Sequence, residues 1–427
     1  MSQQDLPSLL LLPYPPGPAN RDAINAAYRP SLKAALSNIK RPSGPSRLIV
    51  AITCPLLNGQ TLRSKTLSWP QAQSLIAGVY SLIAALCVQL SINTEVDGGP
   101  NSVDATVLLI DHSRSRHFPS DFRPAIEPNN TVVIDLPTFS QAYFPWRFIF
   151  HPRSELGLDI YHAYLKFFEG KQTLRQDQLI PVEAGLTLNV GSPNPSRQQQ
   201  TPTYPTVCLG GTFDYLHPGH KLLLTAGALL LQVPREGDPP ARYIIGITGD
   251  EMLRNKKFAE YLQPWSRRAR NVISFLSQLL ELSPRGWKDG LDGWETTTAV
   301  FTQDGDGNPA ELKATFRNGS IEIVCVCIQD AFGPTITVEN MQALVVSGET
   351  REGGKAVNEK RLEKGWNPLE VYEVDVLDAG GKEAVVAAAA VAAAATTTNG
   401  FEAKISSTEI RKRRAERDRA GRVETKI

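Results

Sequence analysis

Cysteine is scarce: the 427 residues hold five, at 54, 87, 208, 325 and 327, with no CxxC pair and no spacing typical of a zinc site. Such a set excludes a disulfide framework and points to a reducing compartment, the cytoplasm first and the nucleus second. Charge of one sign is also missing, since 45 Lys plus Arg against 44 Asp plus Glu leave a formal +1. No broad basic field is available for nucleic acid or a membrane surface. The start, MSQQDLPSLLLLPYPPGP, has no basic segment, and its Leu run stops after four residues at prolines, so it is not a secretory signal. Apolar stretches fall short of the roughly 18 residues that span a bilayer, the best of them being interrupted by Gln. GxxxxGK[ST], GxGxxG and GxSxG are all absent, which excludes a fused phosphate-loop kinase and a hydrolase elbow.

What is present is globular. Apolar residues make up 41%, Gly adds 32 positions, and the length suits two or three domains. Residues 191–206, GSPNPSRQQQTPTYPT, lack any periodic pattern and read as a linker, placed at 191–205. Before it, apolar runs at 47–53, 105–111 and 131–136 predict buried strands, and 70–91 and 155–169 predict helices, giving an N-terminal α/β domain over 1–190. His112, His117, His151 and His162 fall in this half at spacings that suggest neither a metal nor a triad.

From 206 to 427 the alternation repeats. Strands are expected at 206–211, 241–248, 321–328 and 343–347, with Cys325 and Cys327 on one face of a buried strand. Helices are expected at 219–231, 265–280 and 355–364, with a broken helix at 250–262. The fold class is therefore α/β, a doubly wound parallel sheet preceded by a second α/β domain. Two segments interrupt it: 284–319, rich in Gly, Asp and Thr and read as a surface insertion, and 384–400, nearly pure alanine at its centre.

The chemistry concentrates in Thr206-Val-Cys-Leu-Gly-Gly-Thr-Phe-Asp-Tyr-Leu-His-Pro-Gly-His220, an apolar strand ending at two glycines and leading into a helix. A strand's carboxyl end followed by a helix N-terminus makes an anion site, and Gly210 and Gly211 let phosphate approach the backbone. His217 and His220, three apart, both face that point from the first helical turn. The alternatives are a tight turn alone, or a structural metal on the His pair with further ligands unidentified. The second constellation, Ile405-Ser-Ser-Thr-Glu-Ile-Arg411, places three hydroxyls where they cap a helix that attracts phosphate, or simply cap a solvated basic helix.

GGTFDYLHPGHKLLL resembles the HxGH signature of the nucleotidyltransferase superfamily, and ISSTEIR resembles its ISSTxxR signature. Between them, ITGDEMLRNKKFAEYLQPWSRRARNV, IQDAFGPTIT and LVVSGETREGGKAVNEKRLEKG resemble the eukaryotic, fungal-type phosphopantetheine adenylyltransferases, over roughly 206–377 and 405–413. The resemblance implies a Rossmann-like domain that transfers AMP from MgATP to 4′-phosphopantetheine in coenzyme A biosynthesis, giving dephospho-coenzyme A and pyrophosphate without a covalent intermediate. The implied partners are ATP, 4′-phosphopantetheine and other coenzyme A enzymes, with no nucleic acid and no membrane.

By the same resemblance His220 donates to the α-phosphate, His217 binds neighbouring phosphates, and Thr212 contacts the transferring and accepting phosphates. Gly210, Gly211 and Phe213 belong to the nucleotide turn, and Asp214 either orients that turn or assists metal binding. Lys256 matches the lysine that reaches the reacting phosphates, adjacent Lys257 leaving a one-residue ambiguity. Glu349, Thr350, Asn358 and Arg361 close around the nucleotide, and Ser406, Ser407, Thr408 and Arg411 hold the leaving pyrophosphate. The chain itself supplies no metal ligands; Mg2+ enters with ATP. Arg268 is assigned no role, a solvated helix charge being one reading open to it. Competing readings are another HxGH enzyme, such as a cytidylyltransferase or nicotinamide-nucleotide adenylyltransferase, and a scaffold for coenzyme A enzymes.

Overall fold

The computed structural model describes residues 6–15, 17, 19–54, 68–94, 99–112, 118, 121–126, 130–142, 145–186, 202–282, 299–303, 309–375, 377 and 406–424. The alanine-rich segment, most of the expected linker, and 284–298 within the expected insertion lie outside the described residues.

Short apolar runs that bury both faces become parallel strands covered by helices. In the N-terminal half these are β1 (Ser8–Leu12), β2 (Ser46–Cys54), β3 (Val103–Asp111), β4 (Val133–Asp135), β5 (Ile149–Pro152) and β6 (Leu179–Val182). Their order is β4-β3-β2-β1-β5-β6, and every pairing is parallel. The leucine run at the N-terminus is thus a central strand, with Leu9 to Leu12 fully buried. Helices α1 (Arg21–Ile39), α2 (Trp69–Gln89), α3 (Leu136–Ala142) and α4 (Glu155–Phe168) connect the strands. Asn20 caps α1 by accepting from Ala23 N at 2.9 Å, and Ser154 caps α4 by accepting from Gly157 N at 3.1 Å.

Helix α2 corrects one expectation: by length and composition it is apolar enough to cross a membrane. Its apolar surface is instead largely buried inside the fold, as in the core helix of a globular protein.

The second sheet has β7 (Thr206–Gly211), β8 (Ala241–Thr248), β9 (Ala299–Gln303), β10 (Pro309–Phe316), β11 (Ile321–Ile328), β12 (Ala343–Ser347) and β13 (Glu370–Val374), in the order β13-β12-β7-β8-β11-β10-β9. Five strands are parallel; β10 and β9 run antiparallel at one edge. Residues 299–303 and 309–316 are therefore part of the sheet, not a surface insertion. In AELKATF the apolar alternation buries Leu312, Ala314 and Phe316 while Lys313 and Thr315 are partly exposed. Helices α5 (Pro218–Leu230), α6 (Trp265–Leu280), α7 (Arg351–Glu363) and α8 (Ser407–Glu424) complete this half. The expected broken helix at 250–262 is two single turns, Glu251–Leu253 and Ala259–Tyr261.

The two sheets share one continuous core. Helix α2 packs on α5, and Trp69 Nε1 donates to Ala226 O at 2.8 Å. Thr131 Oγ1 donates to Ala228 O at 2.6 Å, and Thr106 Oγ1 to Gln278 Oε1 at 2.9 Å. Arg317, buried and left-handed at φ 52, reaches from the β10–β11 turn to Asn130 O and Thr131 O at 2.6 and 2.9 Å.

Because Phe316 is fully buried at this junction, Phe316→Ala is expected to cost about 3–5 kcal/mol in denaturant unfolding. A loss below about 0.5 kcal/mol, the range of an ordinary surface change, would return this segment to a surface insertion.

Candidate functional site

Strand β7 lies where the sheet order reverses, with β8 on one side and β12 on the other. Open α/β sheets bind ligands outside the carboxyl ends of their strands at such a switch point. Here β7 ends at Gly210 and Gly211. A Cβ on Gly211 would sit 2.9 Å from the Phe213 ring, whereas one on Gly210 would meet nothing of the protein nearer than 3.9 Å. The bare backbone of Gly210 thus faces outward, available to a ligand.

The turn after the glycines is strained and firmly held. Phe213 and Tyr215 are both left-handed, at φ 53 and 44, a conformation that costs aromatic residues energy. Tyr215 N donates to Gln263 Oε1 at 2.9 Å, and Gln263 N donates to Asp214 Oδ1 at 3.0 Å. Arg268, fully buried, donates to Thr212 O (2.7 Å), Thr248 O (2.8 Å), Gln263 O (2.9 Å) and Asp250 Oδ1 (2.6 Å). Arg268, to which the sequence assigns no role, is not a solvated charge: its fork ties the ends of β7 and β8 to the loop before α6. Nothing in the sequence marks it, because its acceptors are mainly carbonyls.

His217 is the cap residue of α5, with Pro218 at the first helical position, and makes no capping bond of its own. Its ring stacks on His220 at 3.8 Å, and His220 in turn lies 5.2 Å from Phe213. The Nδ1 atoms of both histidines are buried without a hydrogen-bond partner among the described residues. Burial lowers the His217 pKa to about 4, helped by the Lys221 ammonium and opposed by Glu349. Burial and the neighbouring His217 hold His220 well below the usual imidazole range. Two neutral imidazoles therefore stand at a helix N-terminus with ring nitrogens unmet, as a site awaiting an oxyanion would require.

The first turn of α8 lies on the same turn of chain. Ser407 Oγ donates to Asp214 O at 2.7 Å, and Ser406 Oγ accepts from Glu409 N at 3.3 Å. Ser406, Ser407 and Thr408 are half-buried, so the HxGH and ISST segments, almost 190 positions apart, meet at Asp214. Lys256 and Lys257 are exposed on the adjoining loop, and Arg411 Nε donates to Lys257 O at 3.1 Å. Glu349 and Thr350 follow β12, next to β7; Glu349 is near enough to act on His217, while Thr350 Oγ1 caps its own turn by accepting from Ser347 N at 3.0 Å.

Four expectations are corrected. Phe213 is fully buried beneath the turn, supporting Gly211 and His220 instead of offering a face to a nucleotide. Of the two alternatives for Asp214, the first is the one its contacts match: fully buried, it accepts from Gln263 N and pairs with Arg411 Nη1 at 2.6 Å, and so orients the turn. Burial raises its pKa, while the Gln263 N–H and the Arg411 guanidinium draw it back down. Arg411, itself buried, divides its guanidinium among Asp214, Lys257 O and Thr408 Oγ1 at 3.2 Å, so it knots α8 to the turn rather than facing outward to phosphate. Arg361 is fully buried and donates to the carbonyls of Asn367, Thr335, Val338 and Glu339. Asn358 pairs with both backbone groups of Leu369, at 2.8 and 2.9 Å, and joins α7 to the residue before β13.

Comparison with known proteins agrees with this geometry. Residues 208–413 match a family model described as cytidylyltransferase-like, and residues 1–188 match one described only as a domain of unknown function. A phosphopantetheine adenylyltransferase of Pyrococcus abyssi is 30% identical over 171 residues, covering 40% of this chain and 78% of that protein. The chain belongs to the phosphopantetheine adenylyltransferase family. The family's Saccharomyces cerevisiae member is 34% identical over 204 residues, 48% of this chain and 47% of that protein. An uncharacterized protein of Schizosaccharomyces pombe is 31% identical over 169 residues, 40% of this chain and 39% of its own. The matched region thus spans about half or less of these two fungal relatives.

The lowered His217 pKa has a measurable consequence. Because the folded value lies below the unfolded 6.5, the unfolded chain takes up the proton first and stability is lost as pH falls from 6.5 toward 4, by about 3 kcal/mol for a 2.5-unit gap. Thermal melts of the chain and of His217→Asn are expected to converge toward acid, with the variant's profile the flatter; parallel profiles would contradict a neutral, desolvated His217.

Proposed function

We propose that this chain transfers AMP from MgATP to 4′-phosphopantetheine, releasing pyrophosphate and forming dephospho-coenzyme A. The observation that carries the reading is the stacked His217–His220 pair at the α5 N-terminus, neutral and with unmet ring nitrogens, beside the first turn of α8.

In-line attack by the substrate phosphate on the α-phosphorus needs positioning and charge stabilisation, not a protein nucleophile. His220 donates an N–H to the α-phosphate oxygens as charge builds there, and His217 holds the adjoining phosphate. A neutral imidazole suits this task, since it donates without having to lose a proton at working pH. The Gly210 backbone permits close approach, and Thr212 stands at the strand end beside the accepting phosphate. Ser406, Ser407 and Thr408, on the first turn of α8, receive the departing pyrophosphate at a helix N-terminus. The exposed lysines of the 254–257 loop, Lys256 foremost, bring a cation to the same phosphates. Among the described residues no cluster of three or more His, Cys, Asp or Glu could hold a metal. Mg2+ enters with the substrate, carried on nucleotide oxygens and water.

Coupled pyrophosphate release by the purified chain is expected to require both MgATP and 4′-phosphopantetheine. It should fall by about a hundredfold or more in His220→Ala, the loss typical of one transition-state donor. Turnover with CTP in place of ATP, or release that ignores 4′-phosphopantetheine, would overturn the assignment.

A further inference from the structure

Helix α5 does not belong to the second sheet alone. Lys221, the residue after His220, carries an ammonium that is almost completely buried, and its Nζ forms an ion pair with Asp104 on β3 of the N-terminal sheet. The same Nζ donates to Ala105 O at 2.6 Å and stands 5.5 Å over the Phe275 ring of α6. Asp104 is nearly as buried. Lys221 N closes the first hydrogen bond of α5, onto His217 O at 3.0 Å, and Lys221 O accepts from Thr225 Oγ1 at 2.8 Å. The ammonium is therefore tethered within the same helical turn that carries both histidines.

The farther turns of α5 are held by the N-terminal half as well, at Ala226 by Trp69 and at Ala228 by Thr131. These bonds fix the helix axis. The pair at Lys221 fixes the end at which the chemistry is proposed. A buried ion pair is a poor source of net stability, since an apolar pair of similar volume holds two elements together equally well or better. What it supplies is one geometry: the ammonium must meet both Asp104 and Ala105 O, and a shifted helix would leave charge buried and unpaired. The sequence carries a trace of this, a lysine inside the otherwise apolar run KLLLTAGALLL.

We propose that Asp104 is a positioning residue for nucleotidyl transfer: by holding Lys221 it sets where α5 presents His217 and His220, and so makes the N-terminal domain a working part of the site. The proposal rests on the adenylyltransferase reading for its kinetic form but not for its structural one.

The test uses the full chain with Asp104→Asn, Asp104→Glu and, as a control, Leu36→Ala, a cavity on α1 in the N-terminal core. Kinetics are read below the melting temperature of every variant. Asp104→Asn is expected to keep KM for MgATP within about threefold while kcat drops by about tenfold to a hundredfold, the scale of a small misplacement of reacting groups. Leu36→Ala, at a comparable loss of melting temperature, is expected to keep kcat. Should Asp104→Asn not fold, Asp104→Glu retains the charge but displaces Nζ by about one methylene, and a lowered kcat is expected there too. Unchanged kcat in a folded Asp104 variant, or equal kcat losses in that variant and the Leu36 control, would overturn the proposal. If the unmodified chain itself released no pyrophosphate, the adenylyltransferase reading would fail separately, and amide hydrogen exchange over 219–222 would decide the positioning claim. Faster exchange there in the Asp104 variants than in Leu36→Ala supports it, and equal exchange rejects it.

Discussion

Everything in this structure depends on helix α5 being held from two sides. Strand β7 delivers it at the switch point of the second sheet, and the N-terminal half grips it through Trp69, Thr131 and the Asp104–Lys221 pair. The two halves consequently share one core and do not hang from a linker as separate bodies. An independent N-terminal domain would present a polar face toward its neighbour. This one instead turns the apolar length of α2 inward, which is why a helix with a membrane-like composition is buried.

Around that helix, charge is used in two opposite ways. The cations Arg268, Arg361 and Arg411 are buried and consumed by carbonyls, by Asp250 or by Asp214, so they fix loops. Buried Arg donors suit this, because a planar fork satisfies several carbonyls at once. At the α5 N-terminus the buried nitrogens left unmet belong to neutral groups, the two imidazoles. That division leaves the imidazoles facing no counter-charge of their own among these arginines. It also explains the strained Phe213–Tyr215 turn, which is overdetermined by Arg268, Gln263 and Arg411 together.

Four of the five parallel strands of the second half were legible in the sequence, because apolar runs of five to eight residues bounded by Gly, Pro or Asp have few other uses; β13 was not, since EVYEV places two glutamates among its five residues. Helix α6, Trp265–Leu280, was legible to the residue. Strand β10 was obscured by the Gly- and Asp-rich residues before it, although Leu312, Ala314 and Phe316 alternate as a half-buried strand should. Strand β1 was missed because four leucines in a row carry no period. In the site, the motifs located the turn and the two helix ends, but residue type alone does not distinguish an arginine that meets phosphate from one that meets carbonyls. Arg361, Asn358 and Arg411 fall on the structural side for that reason, and Arg268, Gln263 and Asp104 were invisible until their partners were placed.

In the proposed reaction His217 and His220 are the groups that receive the polyphosphate. Nitrogen-15 spectra of the histidine side chains, recorded on the full chain with and without saturating MgATP, test this directly. The ring nitrogens of His217 and His220 are predicted to shift on binding while those of His151 and His162, in the N-terminal half, stay in place. Saturable ATP binding that leaves the resonances of both His217 and His220 unmoved would contradict it.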